Sequence, residues 1–152
     1  MKRVIDMEFK NEIRIIFNKE MVEKYRKEYF KKYPTRKKFP IVDGRHPSIN
    51  KWSIMPRMSC NGLKQNWKEF TMFVVEQHGF NDLNIEKCTV EMIIHIPTKR
   101  RSDSDNYSPK FIFDGFTESK LWLDDSFDVV ESLTTRGIYD KGNPATEFII
   151  RY

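Results

Sequence analysis

Residues 88–120 of this chain read CTVEMIIHIPTKRRSDSDNYSPKFIFDGFTESK, and the order of elements within them decides the fold. Apolar side chains alternate with mostly polar ones over 88–96, which predicts a half-buried β-strand, and Pro97 ends it. Further on, Ser108 is a typical helix N-cap and Pro109 suits the first helical position, so a helix is predicted from there to the end of the stretch. The centre of the fold is therefore a strand, a polar loop and a helix.

The sequence on either side of this centre predicts further strands and helices. The alternation of Ile13, Ile15 and Phe17 predicts a first strand. Helices are predicted in part of 19–38 and over 61–79, and strands within 125–139 and 146–152, the last two joined by the turn residues DKGNP. This order predicts an α/β (α+β) fold, a small single domain over 1–152 with a mixed four-stranded sheet packed by two main helices. A basic, tyrosine-rich insertion, residues 19–45, adds one more helix near the N-terminus.

The composition of the chain excludes several classes of protein. Of its 152 residues, 39% are hydrophobic and 14% are aromatic, so wholesale disorder is not expected. No apolar run is long enough to cross a membrane, and the first residues lack the pattern of a leader peptide. Cys60 and Cys88 stand alone, which fits reduced thiols and a cytoplasmic location. The net charge of +5 favours a polyanionic partner.

Aspartates gather around the central helix although the chain as a whole is basic. Asp103 and Asp105 follow the first of the two strands that flank this helix, and Asp124 and Asp125 precede the second. If the helix packs on the sheet and the two strands are neighbours, the two acidic pairs approach each other. Carboxylate oxygens that converge there suit Mg²⁺, with Mn²⁺ as an alternative. Lys110, on the first turn of the helix, is then placed to donate to a phosphate oxygen.

Simpler explanations of the same aspartates stay open at this point. Each of them, taken alone, suits a turn, a helix cap or a solvated surface. An EF-hand calcium loop is excluded, because its fifth and sixth positions, counted from Asp103, are Tyr107 and Ser108 rather than an acceptor and glycine. A haloacid-dehalogenase phosphatase requires its Asp-x-Asp directly after an apolar strand, and a sugar-nucleotide transferase requires a longer chain.

The stretch DSDNYSPKFIFDGFTESKLWLDDSFDVVE resembles the RusA-type Holliday-junction resolvases, endonucleases often carried by phages and prophages. The family pattern is Asp-x-Asp-Asn, a Lys that opens a helix, an Asp one turn later, and Trp-x-Asp-Asp before a strand. In this chain the pattern falls on Asp103, Asp105, Asn106, Lys110, Asp114, Trp122, Asp124 and Asp125. The segment RHPSINKW is similar to the family's Pro-Ser-x-Asn element. Three residues separate Asn106 from Lys110, one more than in the family.

The resemblance implies a small α/β homodimer that cuts four-way DNA junctions by Mg²⁺-dependent, symmetrically placed incisions in recombination and repair. No membrane partner and no small-molecule cofactor are implied. The catalytic residues are then Asp103, Asp105, Asp125 and Lys110, and the metal ligands are the same three carboxylates with Asp124 and Asp114 as a second tier. The residues expected to contact DNA are Lys99, Arg100, Arg101, Asn50 and Lys51.

Two other functions stay open: a nuclease for flaps or other branched DNA without junction preference, and a non-catalytic junction-binding protein. The number of metal ions, one or two, is also open. Asp114, one helical turn after Lys110, is expected to pair with that lysine and position it.

The tyrosines of the basic segment have two interpretations. Tyr25, Tyr29 and Tyr33 recur every four residues between Lys19 and Lys38, where nine Lys/Arg stand against three Glu. They are either core side chains of an amphipathic helix, which we favour, or a platform on which exposed bases stack. Two aromatic features elsewhere are expected to be core: the stripe that begins at Trp67, and Trp122, which is expected to pack beneath the acidic residues.

Overall fold

A computed structural model of the chain describes residues 9–152; residues 1–8, on which the expectation of no leader peptide falls, lie outside the described part. The elements run in the order β1 (Glu12–Phe17), α1 (Lys19–Lys32), α2 (Ile49–Trp52), α3 (Arg57–His78), β2 (Cys88–Ile96), a 3₁₀ turn (Ser104–Asn106), α4 (Lys110–Glu118), β3 (Val130–Tyr139) and β4 (Ala145–Arg151). The strands form one mixed sheet in the order β1-β4-β2-β3, in which β2 and β3 are parallel and the other pairs are antiparallel. The predicted α+β fold with a mixed four-stranded sheet is confirmed.

The core lies between the helices and one face of the sheet. Trp67 and Phe70 of α3 lie against Phe17 of β1, with ring centroids 6.4 and 5.6 Å apart. Phe116 of α4 lies 5.3 Å from Phe148 of β4. None of these five side chains is more than 3% exposed, and burial of each stabilises the fold by about 1.5–3 kcal/mol. Both main helices are thereby fixed on the sheet, as the sequence predicts.

A glycine allows α4 to approach α3 closely. A Cβ at Gly115 would lie 2.5 Å from the Cβ of Thr71 and 3.2 Å from the carbonyl oxygen of Lys68. Thr71 is fully buried, and its hydroxyl donates to the Trp67 carbonyl oxygen at 2.7 Å. The position of α4, which carries Lys110, therefore depends on the absence of a side chain at Gly115.

Helix α1 occupies most of the basic segment and is anchored by its tyrosines. The side chain of Asn18 caps the helix by accepting a hydrogen bond from the Met21 N–H at 3.0 Å. Tyr25 and Tyr29 are 7% and 5% exposed, and the Tyr25 ring lies 5.1 Å from that of Phe70. Burial raises the pKa of the Tyr25 hydroxyl well above its usual value. These two tyrosines are therefore core side chains and are not available to stack on bases.

Some local features differ from the sequence prediction. The turn residues after β3 lead into β4 as predicted; the sequence does not predict the pairing of the two strands, and they are not neighbours, because β2 lies between them. The connection 140–144 crosses the end of β2, where the Asp140 N–H donates to the Ile96 carbonyl oxygen at 2.9 Å. Helix α3 begins at Arg57, one helical turn earlier than predicted, directly after Pro56, whose ψ of 146° lies outside the helical range. The short helix α2 has no counterpart in the prediction.

Candidate functional site

The loop before α2 is held to the sheet by buried contacts. A side chain at Gly44 would collide with the carbonyl oxygen of Phe17, so only glycine fits there. The hydroxyl of Thr146 in β4 is fully buried and donates to the Gly44 carbonyl oxygen at 2.8 Å. The same hydroxyl accepts a hydrogen bond from the His46 N–H at 3.2 Å. The loop is therefore fixed on the sheet rather than free at the surface.

His46 connects this loop to the start of α4. Its ring is 1% exposed and lies 5.0 Å from the Phe111 ring. Its Nε2 accepts a hydrogen bond from the Phe111 N–H at 3.0 Å, so the proton of the neutral ring is on Nδ1, which donates to the Pro47 carbonyl oxygen at 2.8 Å. Burial lowers the pKa of His46 to about 4. A neutral imidazole thus satisfies one of the free N–H groups at the N-terminus of α4.

Lys110 opens α4 as predicted, despite the extra residue before it. The N-cap is Pro109 rather than Ser108, and no side chain at the cap position bonds to the helix. Pro109 has a ψ of 39°, outside the helical range, so the helix begins one residue later than the sequence predicts. The Lys110 Nζ is exposed to solvent on the side of α2 and lies 5.8 Å from the centre of the Trp52 ring.

A hydrogen bond joins the two motif segments that the sequence singles out. The backbone N–H of Asn50, in the first turn of α2, donates to Oδ1 of Asn106 at 2.9 Å. Asn106 ends the 3₁₀ turn that contains Asp105. The Pro-Ser-x-Asn element and the Asp-x-Asp-Asn element therefore lie side by side, and Lys110 approaches the same short helix at Trp52.

Three of the predicted acidic residues lie close enough to affect one another. Asp125 is largely exposed, but partial desolvation raises the pKa of its carboxyl, and the negative charges of Asp124 and Asp114 raise it further. Hydrogen bonds from Ser126 and from the local backbone lower the pKa of Asp124. Opposite shifts in neighbouring carboxyls are typical of two like charges that share one site. The expected pairing of Asp114 with Lys110 is not found, because Asp114 lies 3.6 Å from the Nζ of Lys64 in α3.

The other two predicted carboxylates, Asp103 and Asp105, are exposed in the loop between β2 and α4. Asp103 lies 3.3 Å from the Nε of Arg101, and Asp105 lies on the 3₁₀ turn. The flanking strands are neighbours, which the expected approach of the two acidic pairs requires, but they are parallel: the start of β2 faces the start of β3. The end of β2 and the start of β3 are therefore at opposite ends of the pair, so the strand ends alone do not bring the two acidic pairs together.

Carboxylate oxygens are the ligands that a hard cation such as Mg²⁺ prefers, but too few of these side chains lie together to form a complete site. One carboxylate oxygen of Asp114 is buried with only the Lys64 ammonium, 3.6 Å away, beside it, and Asp125 lies in the field of two neighbouring negative charges. A divalent cation relieves both conditions. Within residues 9–152, however, no three His, Cys, Asp or Glu side chains stand in an arrangement ready to bind one ion. The assignment of Mg²⁺ to Asp103, Asp105 and Asp125 stays a prediction.

Arg45 is a prominent cation of the site that the sequence reasoning misses. Its guanidinium bonds to Asp43 through both Nη2, at 2.8 Å, and Nε, at 3.3 Å, and this contact raises the pKa of Arg45. Arg45 borders two clefts. One, of about 210 Å³, also contains His46 and Lys51, and the other, of about 380 Å³, is lined by further arginines. The only local sequence feature at Arg45 is the tripeptide Asp-Gly-Arg, and this tripeptide does not indicate which clefts the arginine borders.

The predicted DNA-contacting residues divide into two groups around Arg45. Arg100 and Arg101 line the larger cleft, and Lys51 lines the smaller one. Lys99 lies apart, over the ring of Tyr139 at the end of β3, with its Nζ 5.5 Å from the ring centre. Arg45 therefore joins Lys51 to the two arginines in one basic surface, to which Lys99 contributes from the side. Two acids belong to this surface as well, Asp43 beside Arg45 and Asp103 beside Arg101.

Comparison with known proteins does not assign the chain to a family. No protein-family model matches the chain, and no curated protein matches it. In the part of the chain that the structure describes, no helix has the length and apolar character needed to cross a membrane.

Proposed function

We propose that this chain is a Mg²⁺-dependent endonuclease of the RusA type, a hydrolase that resolves four-way DNA junctions by paired, symmetrical nicks. The observation that carries the proposal is the arrangement of side chains along α4. Lys110 opens the helix beside α2, and Asp114, about 6 Å further along the helix axis, interacts with Asp125. A cationic group and an acidic cluster thus lie along the same helix, an arrangement that suits metal-assisted phosphodiester hydrolysis.

Each of these side chains has a chemical role in this proposal. Asp125, Asp114 and Asp124 would hold the cation, together with Asp103 and Asp105 from the loop after β2. When bound, a divalent cation lowers the pKa of water and neutralises charge on the phosphate. Lys110 donates to a non-bridging phosphate oxygen, whose negative charge grows in the transition state.

The basic surface centred on Arg45 binds the strands that flank the scissile phosphate. Arg100, Arg101 and Lys51 contact the sugar-phosphate backbone, which makes binding dependent on salt and independent of sequence. The opposite charges of the site therefore have separate tasks: the carboxylates hold the metal, and the arginines and lysines hold the DNA.

Two nicks placed symmetrically in one junction require two active sites. A four-way junction has approximate two-fold symmetry, so we propose a two-fold homodimer with one site in each subunit. The two cysteines are both free thiols, in keeping with a cytoplasmic protein that acts in DNA recombination and repair, as phage and prophage resolvases do.

A specific observation favours a second candidate, a non-catalytic junction-binding protein. Asp103 and Asp105 lie beyond the end of β2, whereas Asp125 precedes the start of β3, at the other end of this parallel pair. If the loop that carries Asp103 and Asp105 does not close over α4 when DNA binds, the metal ligands stay apart and no cleavage follows.

One experiment separates these functions. The wild-type protein, Asp105→Asn and Asp125→Asn are each incubated with an end-labelled four-way junction, a flap and a linear duplex in Mg²⁺, Mn²⁺ or Ca²⁺. Asp128→Asn is the matched control, because Asp128 is exposed in the same loop as Asp125. We expect paired nicks in the junction alone, a loss of at least a hundredfold in the two site variants, and normal cleavage in the control. Equal cutting of the flap would show a general branched-DNA nuclease, and tight binding without any cut would establish the non-catalytic protein.

A further inference from the structure

The chain that follows α1 carries a dense group of positive charges. We use the name basic turn for residues 31–38, which contain the cations Lys31, Lys32, Arg36, Lys37 and Lys38. No Asp or Glu occurs between positions 29 and 42. Among the residues that the structure describes, Lys31 alone of these five pairs with an acid, Glu28, at 3.4 Å. Glu69 of α3 also acts on Arg36, and Glu28, Glu69 and Glu76 line the groove beside Lys32. The charges of the basic turn that are least opposed by acids, and so left for a partner, are those of Lys37 and Lys38.

Aromatic rings hold part of this charge in fixed positions. The Arg36 Cζ lies 3.8 Å from the centre of the Tyr33 ring, and its Nη1 donates to the Tyr29 hydroxyl at 3.0 Å. The Lys32 Nζ lies 5.3 Å from the centre of the same Tyr33 ring. Because Tyr29 is buried, the arginine is anchored to the core while its charge stays at the surface. Such a cation loses little conformational freedom when it binds an anion.

The basic turn leads directly into the candidate site. Lys38 is two residues before Pro40, which lines the cleft that contains Arg45 and Lys51. Two residues span at most about 7 Å of chain, so Lys38 lies within about 7 Å of a residue that lines this cleft. The loop that carries Arg45 is fixed on the sheet by Thr146, and Arg36 is anchored to buried Tyr29, so cations of both groups are held to the core.

We propose that the basic turn is a second DNA-binding surface, which holds the phosphate backbone of a duplex arm leading away from the cleavage point. This proposal rests on the DNA-binding part of the proposed function. The partner is a polyanion that reaches both the cleft and the basic turn, and a continuous phosphate backbone does so. The tyrosines contribute by fixing cations rather than by stacking on bases, since Tyr25 and Tyr29 are buried.

The test compares two double variants of the full chain. Lys37→Glu with Lys38→Glu removes charge from the basic turn, and Lys10→Glu with Lys141→Glu changes the net charge by the same amount at exposed positions elsewhere. Affinity for an uncleaved four-way junction in Ca²⁺ is measured from low to moderate salt. For the basic-turn variant we expect at least a tenfold loss of affinity at about 0.1 M salt and a salt slope smaller by roughly two, one for each lost phosphate contact. The control should stay within about threefold of the wild type.

The outcomes separate this inference from the proposed nuclease activity. If both double variants lose the same affinity, the basic turn acts only through net charge and the inference is overturned, whether or not the wild type cuts. If only the basic-turn variant loses affinity but the wild type never cuts, the inference stands and the nuclease proposal falls. Vesicles of phosphatidylserine are the competing probe: loss of vesicle binding with unchanged affinity for DNA would assign the basic turn to a membrane surface instead.

Discussion

His46 and Phe111 are 65 residues apart in the sequence, yet the ring Nε2 of the first accepts a hydrogen bond from the backbone N–H of the second at 3.0 Å. Phe111 follows Lys110 at the start of α4, so this bond fixes the helix end from which the proposed catalytic lysine projects. The loop that carries His46 also carries Arg45, whose guanidinium lines the two clefts. One buried imidazole thus sets the relation between the basic surface and the start of α4.

The first prediction concerns the pH dependence of folding. Burial lowers the pKa of His46 to about 4, whereas the unfolded value is near 6.5, so the unfolded chain binds a proton more readily between these values. The contribution of neutral His46 to stability is therefore complete above pH 6.5 and is lost as the pH falls toward 4, by about 3 kcal/mol in total. Urea unfolding at pH 7 and at pH 4.5 measures this loss.

The matched variant for this measurement is His46→Gln, which does not titrate and keeps a side-chain oxygen that accepts from the Phe111 N–H. Carboxylates that titrate in the same range are common to both proteins and cancel in the comparison. The wild type should lose about 2–3 kcal/mol more than the variant between the two pH values. If the wild type and the variant lose the same stability between pH 7 and pH 4.5, His46 is not held neutral by burial.

The second prediction concerns the acidic cluster. Because the pKa of Asp125 is raised in the folded state, its contribution favours folding below the unfolded pKa and is lost as the pH rises through the folded pKa. At pH 7 the ionised Asp125 therefore costs stability, and Asp125→Asn should raise the free energy of unfolding in a chelator, by no more than about 0.5 kcal/mol since solvent screens the charges. At pH 3, where the carboxyl is protonated, the difference should vanish.

Addition of Mg²⁺ extends this measurement. If the cluster holds the ion, millimolar Mg²⁺ raises the melting temperature of the wild type, because a ligand that binds only the folded state stabilises it. Asp125→Asn should lose this response, whereas Asp128→Asn should keep it. A variant that is less stable than the wild type in chelator would contradict the like-charge repulsion in the cluster.

The sequence predicts the parts of this molecule that depend on local pattern. The alternation over 88–96 and the apolar pattern that begins after Lys110 both lie within single elements, so β2 and α4 can be predicted without knowledge of the rest. The position of β4 between β1 and β2 cannot be predicted in this way, because a turn of the same length also fits a simple hairpin. The parallel pairing of β2 and β3 follows from the helix between them, but its consequence for the two acidic pairs becomes evident only from the register.

The same distinction holds for the candidate site. Lys110 and the aspartates belong to one compact motif and can be found by spacing. His46 and Arg45 matter through contacts with residues far away in the sequence, and a lone buried histidine has no local signature. The sequence also predicts the wrong partner for Asp114, because helical spacing points to Lys110 whereas α3 presents Lys64 from outside the helix.

The third prediction concerns the hydrogen bond between Asn50 and Asn106. Asn106→Ala removes the acceptor that ties the loop carrying Asp103 and Asp105 to α2. The bond is at the surface, so the free energy of unfolding should fall by no more than about 1 kcal/mol. Junction cleavage should fall by at least tenfold, because a small displacement of a catalytic group has a large effect on rate.

The control for this variant is Asn106→Asp, which keeps an acceptor oxygen at the same place. It should retain most of the cleavage rate that Asn106→Ala loses. If the two variants are equally impaired, the amide group itself is required and the bond to Asn50 is not what positions the loop.

The last prediction concerns the contact between α3 and α4. Gly115→Ala places a methyl group 2.5 Å from the Cβ of buried Thr71, so the two helices must separate. Alanine has the higher helix propensity, by about 1 kcal/mol, but overpacking of a core costs about 1–3 kcal/mol, and the net effect should be destabilising. Gly62→Ala in α3 is the matched control, because a Cβ there meets no atom within 4 Å, and it should stabilise the protein by up to about 1 kcal/mol. Denaturant unfolding of both variants shows whether each substitution raises or lowers the free energy of unfolding. If Gly115→Ala is as stabilising as Gly62→Ala, the helices do not approach as closely as the structure indicates, and the position of Lys110 does not depend on that glycine.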